Sequence, residues 1–335
     1  MLDASVPNRY MREESEEKVL ILLYTPHKSK RDWGLGPGDD LFKSLKCPVK
    51  TCAFTTDRGL LDDAPVVMFH VPELKTDLNP PPRSRNRPQA WVFYTHTSPA
   101  YSHQPPYLWQ HLFNWSMTYH PEAEVHFPFG RLRHRSARQP KNYLAVAKEE
   151  RKMVAWFVGS CKSHSKREAY VERLKRVVPV DTFGECGDHE CDDAEGCLEM
   201  VGKSYKFYLS FESSLCEGYV TEDFFQHAKL DVVPIVRGGA NYSNFMPKNS
   251  FINTEDFQTA NELGRYLTFL ASNPEEYAKY LEWKNYYSVE VTITKDKSWC
   301  YLCEKAHDVT SVKKRHNPYE FWFQGKACWT PSDIL

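Results

Sequence analysis

The sequence predicts an α/β protein made of two domains, each built around a parallel sheet, that face each other across a cleft. The chain has 335 residues, which exceeds one ordinary core and suits two domains. Short apolar runs recur along it, with helical or loop segments between them. Runs that are apolar on both faces are typical of strands buried in a parallel sheet. Such sheets bind ligands at the carboxyl ends of their strands, so we expect a site in the cleft.

The apolar runs fall into two series. The first lies at 18–25, 65–71 and 89–95, and the second at 153–160, 177–184, 206–212 and 232–236. Residues 127–152 between them are polar, basic and proline-containing, which predicts a solvated linker, with a basic rim over a phosphate site as the alternative. We therefore divide the chain into a stem or flexible N-terminus at 1–17, an N-terminal domain at 18–140 and a C-terminal domain at 141–335.

Two helical segments are predicted in the second half of the chain. Residues 165–178 place Tyr170 and Leu174 on one face of a helix. Residues 260–287 predict a long helix or a helix pair with a break at Pro274. Together with the strands, these helices complete the second α/β unit.

Composition excludes several broad classes of protein. The hydrophobic share of 41% and the aromatic share of 14% are those of a globular chain with a sizeable interior. A formal net charge of -1 gives no global attraction to nucleic acid or to an anionic membrane. The apolar runs are far shorter than the roughly 20 residues that span a bilayer, so we expect this chain to be soluble.

Ten cysteines occur in groups, which favours disulfides in a secretory compartment. Zinc is the alternative, because Cys300 and Cys303 have ligand spacing and Cys47 and Cys52 could complete a four-cysteine site. The segment "CPVKTC" has four residues between its sulfurs and lacks a zinc-ribbon glycine, which favours disulfides. The other cysteines are Cys161, Cys186, Cys191, Cys197, Cys216 and Cys328. The four at 161–197 allow three pairings, which the sequence leaves open.

Polar side chains gather where one predicted strand ends and the next helix begins. The run "KFYLSFE" ends at Glu212 and is followed by Ser213 and a second serine. A helix is expected to start near Thr221, a good N-cap, with Glu222 and Asp223 in its first turn. Free N–H groups there suit an anion such as a diphosphate, but first-turn acids also simply complement the helix dipole. No glycine-rich phosphate loop accompanies the segment.

The same stretch resembles the donor-binding signature of the α1,3-fucosyltransferases of glycosyltransferase family 10. The matching text is "YKFYLSFESS…GYVTEDFF…VVPIV". Further segments that resemble the family follow in the family's order, namely "FNWSMTY", "FPFG", "NYSNFMPKNSFINTEDF", "YLEWKNYY" and "CYLC". The resemblance covers residues from about 90 to about 305. The positions of Cys161 and the cysteines at 186–197, and the two phenylalanines after "YVTE", resemble the branch that acts on the chitobiose core of N-glycans.

The resemblance implies an inverting glycosyltransferase of the GT-B fold, with two Rossmann-like domains and GDP-fucose as donor. The acceptor would be the 3-OH of N-acetylglucosamine in an N-glycan or glycoprotein, and nucleic acid is not an expected partner. No cofactor is expected to be required, with Mn²⁺ as an optional activator. The family also implies the Golgi lumen, with membrane contact only through a type II anchor outside this chain, and two sequons, Asn114-Trp-Ser116 and Asn241-Tyr-Ser243, fit a glycoprotein of that compartment. Cys300 and Cys303 would pair with Cys47 and Cys52.

Donor-binding residues carry over position by position. Arg167 matches the family arginine that contacts the diphosphate, and its alternative role is an exposed helix charge. Hydroxyls and carboxylates at 208–222 would hold the ribose, the fucose and the diphosphate. The predicted donor-binding set is Arg167, Tyr208, Glu212, Ser213, Tyr219 and Glu222. For Tyr208 a core aromatic is the alternative, and at Ser213 the family has asparagine.

Two departures from the family pattern concern charge. Thr97 stands where the family has its catalytic glutamate, and threonine is no general base. The adjacent His96 is the candidate base, although neighbours on a strand point to opposite faces. Asp223 stands where the family has a lysine, so an attraction of about 4 kcal/mol to a phosphate becomes a repulsion. Arg237, Lys248 or a divalent cation at Asp223 would compensate.

Three functional hypotheses follow. The first is an active core-type α1,3-fucosyltransferase with a displaced base. The second is a catalytically weakened relative that binds nucleotide or glycan without efficient transfer. The third is a GT-B enzyme that uses another nucleotide sugar.

Overall fold

The computed structural model describes most of the chain. The described residues are 18–74, 79–82, 88–191, 193–292, 296–310, 317–323, 325 and 327–333. The predicted stem at 1–17 lies outside them. No helix in these ranges is long and apolar enough to cross a membrane.

The first sheet contains six parallel strands in the order β2-β1-β3-β4-β5-β6. Its strands are β1 (Val19–Leu23), β2 (Cys52–Thr55), β3 (Val66–His70), β4 (Ala90–Thr95), β5 (Trp115–Thr118) and β6 (Val125–His126). The three strands predicted in this half of the chain are confirmed as β1, β3 and β4. The other three are only two to four residues long, so their apolar runs give a weak pattern in the sequence.

The second sheet is also parallel, with the order β13-β12-β10-β8-β9. A linker strand, β7 (Gly130–His134), precedes it in the chain. The strands that follow β7 in the chain, inside and outside this sheet, are β8 (Lys152–Phe157), β9 (Val180–Phe183), β10 (Tyr205–Phe211), β11 (Leu215–Cys216), β12 (Val233–Arg237), β13 (Ile252–Asn253), β14 (Tyr287–Val291) and β15 (Cys328–Trp329). The four predicted strands are confirmed as β8, β9, β10 and β12. In both sheets the strand order reverses beside the first strand, which is the doubly wound pattern of a ligand-binding α/β sheet.

Helices cover the sheets and continue to the C-terminal part of the chain. They are α1 (Asp40–Ser44), α2 (Tyr143–Lys148), α3 (Arg167–Leu174), α4 (Ala194–Ser204), α5 (Glu222–Ala228), α6 (Ala260–Ser272), α7 (Pro274–Lys279), α8 (Ser298–Ala306) and α9 (Pro318–Phe323). The predicted break at Pro274 is confirmed, because this residue starts α7 directly after α6. The predicted helix start is also confirmed: α5 begins at Glu222 with Thr221 as its N-cap residue.

The segment 127–152 is more than a solvated linker. It contains β7 and α2, and β7 pairs in antiparallel fashion with β14 from the far end of the chain. Gly130 of β7 lies so close to α5 that a Cβ there would approach the ring of Phe225 to 2.2 Å. The prediction of a plain linker is therefore wrong, because this segment is packed against the second domain.

The C-terminal part of the chain returns to the first domain. Helix α8 lies at 298–306, which the sequence-based division assigns to the domain at 141–335, but Trp299 and Leu302 of α8 are buried in the core of the first sheet. Cys47–Cys300 and Cys52–Cys303 disulfides attach this helix to the first domain. Helix α8 therefore belongs physically to the first domain.

All ten cysteines are in disulfides. The predicted pairing of Cys300 and Cys303 with Cys47 and Cys52 is confirmed. The other three pairs are Cys161–Cys186, Cys191–Cys197 and Cys216–Cys328. A cluster of Cys52, Cys303 and His307 is close enough for a metal, but its two sulfurs bond to each other, so the zinc alternative is excluded.

A buried carboxyl group fixes the connection between β10 and α5. Glu212 is only 3% exposed, and its Oε1 accepts a hydrogen bond of 2.8 Å from the backbone N–H of Thr221. Burial raises the pKa of Glu212 to about 8, against its usual 4.5, and the bond from Thr221 only partly offsets this. The carboxyl group therefore holds a proton in the folded protein at neutral pH, whereas the unfolded chain releases it.

The pKa of Glu212 predicts a pH-dependent stability. The folded state binds the extra proton between about pH 4.5 and about pH 8, so the free energy of unfolding should fall as pH rises through this window. Each unit of pKa shift corresponds to roughly 1.4 kcal/mol, so the total loss is at most a few kcal/mol. Glu212→Gln keeps an acceptor for Thr221 without the ionisation, and it should remove this dependence in urea unfolding at pH 5, 7 and 9.

The matched control is Glu195→Gln, which changes an exposed glutamate in the first turn of α4. This variant should follow the wild-type pH profile. Parallel profiles for wild type and Glu212→Gln would contradict the assignment of the proton to Glu212.

Candidate active site

A cleft of about 710 Å³ lies between the two domains, at the carboxyl ends of both sheets. Its N-terminal wall comes from the ends of β1, β3 and β4, and its C-terminal wall comes from the ends of β8 and β10 and the start of α5. The lining residues are His27, Lys28, His70, Pro72, Glu73, Tyr94, His96, Thr97, Ser98, Tyr101, Phe129, Ser160, Ser213, Tyr219, Thr221 and Glu222. The site thus sits at the switch points of both sheets, as the topology requires.

Aromatic rings dominate the N-terminal wall. His27 and His70 lie edge to face with ring centroids 4.3 Å apart, and Tyr94 packs between His70 and His96. Burial is the largest cause that lowers all three histidine pKa values, for His70 to about 3 and for His96 to about 4. The three histidines of this wall are therefore neutral at physiological pH, and its lining also contains the cationic side chain of Lys28.

The tautomer of His96 follows from its hydrogen bond. Its Nε2 lies 2.8 Å from the carbonyl oxygen of Phe127, and a carbonyl oxygen only accepts, so Nε2 carries the proton. Nδ1 is then the acceptor nitrogen of the ring. The ring is also packed against Phe127 and Phe129, with centroids 4.4 and 4.8 Å away. His96 therefore lies in the cleft with a fixed orientation and one nitrogen lone pair.

Glu73 is a cleft carboxylate that the sequence analysis missed. It lies in a 3-10 turn, Val71–Glu73, directly after β3 and is half-buried in the N-terminal wall. Thr97 also lines the cleft, and its backbone N–H donates to Thr95 Oγ1. Glu73 follows the predicted strand at 65–71 by two residues, so its place at the carboxyl end of a strand was the signal for it. The N-terminal wall thus contains a carboxylate although Thr97 has none.

Four of the predicted side chains meet in the cleft: His96, Ser213, Tyr219 and Glu222. Tyr219 is 8% exposed, and burial raises its pKa well above the usual value, so its hydroxyl remains a donor. Glu222 is the first residue of α5. The C-terminal wall therefore presents hydroxyls and a carboxylate to the cleft.

Direct hydrogen bonds join the two domains beside the cleft. Ser214 Oγ donates to Ser98 Oγ over 2.8 Å, and both side chains are fully buried. The hydroxyl of Tyr101 donates to the carbonyl of Ser213 over 3.3 Å and accepts from the backbone N–H of His164. These contacts fix the spacing of the two walls at one edge of the cleft.

Arg167 lies against the end of β10. One guanidinium nitrogen donates to the carbonyl of Phe211, and the group lies 5.8 Å from the ring of Trp156. Its Nε is buried and has no partner among the described residues. Arg167 starts α3, but it is not among the side chains that line the cleft. Its charge nevertheless acts on the C-terminal wall, because it lowers the pKa of both Glu212 and Tyr219 to a small extent.

Tyr208 and Asp223 are engaged with each other. The hydroxyl of Tyr208 donates to Asp223 Oδ1 over 2.8 Å, and the Tyr208 ring stacks on His227 with centroids 3.3 Å apart. His227 Nδ1 donates to the Asp223 carbonyl over 2.8 Å. The Asp223 side chain is 40% exposed, while Tyr208 is fully buried. In this arrangement Tyr208 is a core aromatic, and Glu212 is likewise directed at Thr221 rather than at the cleft.

The two cations considered as substitutes for lysine lie elsewhere. Arg237 forms a two-pronged ion pair with Asp333, with distances of 2.6 and 2.8 Å, and lies over the ring of Tyr170. Lys248 is exposed in the segment before β13. Among the described residues, no group of three metal-ligating side chains includes Asp223. His227 Nδ1 lies 3.4 Å from Asp223 Oδ1, and burial lowers the pKa of this histidine. No lysine or arginine among the described residues pairs with the Asp223 carboxylate.

Two family models match the two halves of the chain. Residues 16–130 match the model "Fucosyltransferase, N-terminal", and residues 147–322 match "Glycosyltransferase family 10 (fucosyltransferase) C-term". The family resemblance predicted from the motifs is thereby confirmed.

Curated relatives agree with these matches. Alpha-(1,3)-fucosyltransferase C of Drosophila melanogaster is 31% identical, over 90% of this chain and 77% of its own length. Alpha-(1,3)-fucosyltransferase 4 of Mus musculus is 31% identical, over 91% of this chain and 79% of its own length. Glycoprotein 3-alpha-L-fucosyltransferase A of Drosophila melanogaster is 29% identical over 97% of this chain, which spans only 64% of that protein.

Solved structures share the fold. A crystal structure of an alpha1,3-fucosyltransferase matches 94% of this chain and 96% of its own with a TM-score of 0.56 at 16% identity. A second, described as the enzyme with GDP-fucose, matches 93% and 96% with a TM-score of 0.55 at 14% identity. The predicted GT-B fold of two Rossmann-like domains is confirmed. With both domains matched and the sequence motifs in order, the chain belongs to glycosyltransferase family 10, the fucosyltransferases.

Proposed function

We propose that this chain transfers fucose from GDP-fucose to the 3-OH of N-acetylglucosamine in a glycan, with inversion at the anomeric carbon. The observation that carries the proposal is the interdomain cleft, in which predicted donor-binding hydroxyls of Ser213 and Tyr219 and the Glu222 carboxylate face the N-terminal wall. Family membership supports the reaction class, and the relatives named above are α1,3-fucosyltransferases. A solved neighbour is described with GDP-fucose, which supports the donor.

In this proposal the two walls divide the chemistry. The donor lies on the C-terminal wall, where Glu222 accepts hydrogen bonds from sugar hydroxyls and Ser213 and Tyr219 supply hydroxyls. The acceptor lies on the ring-lined N-terminal wall, since flat aromatic surfaces suit the apolar face of a sugar. Attack by the acceptor hydroxyl forms a bond to the anomeric carbon as the bond to GDP breaks, and a base takes up the hydroxyl proton. Arg167 adds positive charge at the end of β10, on the side of the leaving diphosphate.

Two groups on the N-terminal wall are candidates for the base. His96 remains the candidate from the sequence, because its Nδ1 is an acceptor in the cleft. Glu73 is favoured on physical grounds. Burial under bound substrates favours neutral groups, and a carboxylate becomes neutral when it takes up a proton, whereas an imidazole becomes charged. We therefore assign the base to Glu73, with His96 as the alternative.

The charge at Asp223 suggests how the diphosphate is held. Mg²⁺-like ions are commonly bound by one or two carboxylates together with substrate phosphates. Asp223 has one oxygen bonded to Tyr208 and a side chain that is 40% exposed, so it offers one further ligand atom. We propose Mn²⁺ as an activator that binds together with the nucleotide, not as a required resident cofactor.

The proposed acceptor is the core of an N-glycan on a glycoprotein. The Drosophila relative named as a glycoprotein 3-alpha-L-fucosyltransferase supports a glycoprotein substrate. The proposed location is the lumen of the Golgi, and five disulfides suit an oxidising secretory compartment. We also propose that the protein is attached to the membrane by a type II anchor and that this chain is itself glycosylated.

The second candidate function is a catalytically weakened relative that binds nucleotide or glycan. Two expectations from the motif resemblance favour keeping it: Thr97 stands at the family glutamate position, and Asp223 stands at the family lysine position. Loss of a general base typically costs about 10² to 10⁴ in rate, so residual transfer is compatible with this candidate.

The test of the function is a transfer assay with radiolabelled GDP-fucose. The acceptor panel contains a core-type N-glycopeptide and an N-acetyllactosamine, each with and without Mn²⁺. We expect transfer to the core glycopeptide alone, with faster turnover in Mn²⁺. No transfer to either acceptor, together with measurable GDP binding, would instead support the weakened relative.

The base assignment predicts different effects for two similar substitutions. Glu73→Gln should lower kcat by about 10² to 10⁴ with little change in KM, because it removes proton uptake and keeps the shape. His96→Gln should change kcat much less, within about tenfold. A larger loss of kcat in His96→Gln than in Glu73→Gln would identify His96 as the base. Near wild-type rates for both variants would show that neither residue is the base.

The sign reversal at residue 223 predicts a gain of function. Asp223→Lys should strengthen binding of GDP and abolish the Mn²⁺ effect, since a lysine attracts the diphosphate directly. Its control is Asp223→Asn, which removes the charge and keeps the hydrogen bond to Tyr208. A steep rise in transfer for the pair Thr97→Glu with Asp223→Lys would favour the weakened relative, whereas unchanged transfer would show that the cleft already has its base.

A further inference from the structure

A second pocket, of about 490 Å³, lies at the opposite end of α5 from the catalytic cleft. It forms where the basic segment 127–152 meets the end of α5 and residues 283–289. We call it the linker pocket and define it by Arg135, Lys141, Lys229, Asp231, Trp283 and Lys284. It shares no lining residue with the catalytic cleft. Nothing in the proposed transfer reaction uses it.

Positive charge exceeds negative charge in the linker pocket. Its wall contains four basic side chains and one carboxylate, Asp231, which pairs with Lys141. Arg135 donates through Nε to the carbonyls of Lys284 and Tyr287 over 3.1 and 3.0 Å. These bonds fix the guanidinium without neutralising it, and no carboxylate of the described residues pairs with it. Lys229 is exposed and likewise has no ion pair within the described part of the chain.

Lys284 is a buried amine in this wall. It is 7% exposed, its Nζ donates to the carbonyl of Leu230, and it lies 5.4 Å from the centre of the Trp283 ring. Burial lowers the pKa of Lys284 to about 7, against its usual 10.5. A carbonyl oxygen satisfies one of the three donors of an ammonium group, so the group has capacity for a further acceptor. An anion beside it would stabilise the charged form.

The indole N–H of Trp283 supplies the independent observation. Trp283 is 8% exposed, and its Nε1 is buried without an acceptor among the described residues. Buried donors in folded proteins are nearly always paired, so an unpaired one needs an explanation. Trp283 belongs to the pocket wall, as do Arg135 and Lys284, whose Nζ lies 5.4 Å from the centre of the Trp283 ring. A ligand that accepts hydrogen bonds and carries negative charge would satisfy all three.

We propose that the linker pocket binds a small oxyanion, such as sulfate or a phosphate or sulfate ester, either free or attached to a sugar. Arg135 and Lys229 supply charge at the rim, and Lys284 and Trp283 supply the buried donors. Neutral sugars lack the charge that this wall complements, so they are not expected to bind. The inference is independent of the proposed transfer reaction.

The test follows the Trp283 indole directly. In protein labelled with ¹⁵N-tryptophan, the Trp283→Phe variant assigns the indole signal among the nine tryptophans. Sodium sulfate, compared with sodium chloride at equal ionic strength, should shift this signal and raise Tm by several degrees. The affinity for sulfate should be at least threefold lower at pH 8.5 than at pH 6.5, because Lys284 loses its charge across this range. An indole signal that does not respond to sulfate would overturn the proposal.

Variants separate the pocket from general salt effects. Lys229→Gln, at an exposed position, should weaken sulfate binding at least threefold without loss of folding. Lys203→Gln removes an exposed lysine on α4 that pairs with Glu199, and it should bind sulfate like wild type. Equal responses of the two variants would contradict the proposal, even if Trp283→Phe failed to fold.

Two further ligands distinguish the source of the oxyanion. N-acetylglucosamine 6-sulfate that binds at least tenfold more tightly than inorganic sulfate would identify a sugar-borne group. Comparable affinities would identify the free ion, and both results support an oxyanion site. Equal binding of unsulfated N-acetylglucosamine would count against it, because the charge would then contribute nothing.

Discussion

The spacing of the two domains depends on the return of the chain to its starting domain. Helix α8 packs against the first sheet and is attached to it by two disulfides whose cysteines are 253 and 251 residues apart. Strand β14, just before α8, pairs with the linker strand β7. The chain thus returns between the domains at places that are held by the two disulfides and by the β14–β7 strand pair. Disulfides that close such long loops strongly restrict the unfolded chain. The cleft has a defined width because the domains are joined at two places.

Parallel topology explains why the functional side chains meet. All strands of each sheet end at one edge, and the two edges face each other across the cleft. The sheets differ in what they present: the N-terminal wall adds a cluster of aromatic rings and uncharged histidines to its polar groups, whereas the C-terminal wall presents hydroxyls and a carboxylate. A sugar with an apolar face and a nucleotide sugar with many hydroxyls need such different walls. The asymmetry of the cleft thus fits a two-substrate transfer.

The motif resemblance places Asp223 at a position where a lysine is expected. Asp223 is held by the buried hydroxyl of Tyr208, and Tyr208 in turn stacks on His227. The substitution is therefore built into the packing of α5 against β10. Arg237, one possible counterweight, is already paired with Asp333 near the C-terminal part of the chain. In the proposed complex, the positive charge that a lysine at this position would supply comes from Arg167, from Lys28 of the cleft lining or from a cation that arrives with the nucleotide.

The sequence by itself determined the family, both parallel sheets, the start of α5 and the pairing of Cys47 and Cys52 with Cys300 and Cys303. Buried strands and linear motifs are local patterns, and the family supplied the disulfide pairing. Only the tertiary structure decided that Glu73 and His70 line the cleft, that Glu212 and Tyr208 face inward, and that residues 127–152 are packed rather than free. The physical reason is that burial, pKa and hydrogen-bond partners depend on residues distant in sequence. Periodicity shows which face of a strand is apolar, but not which side chains meet across a cleft.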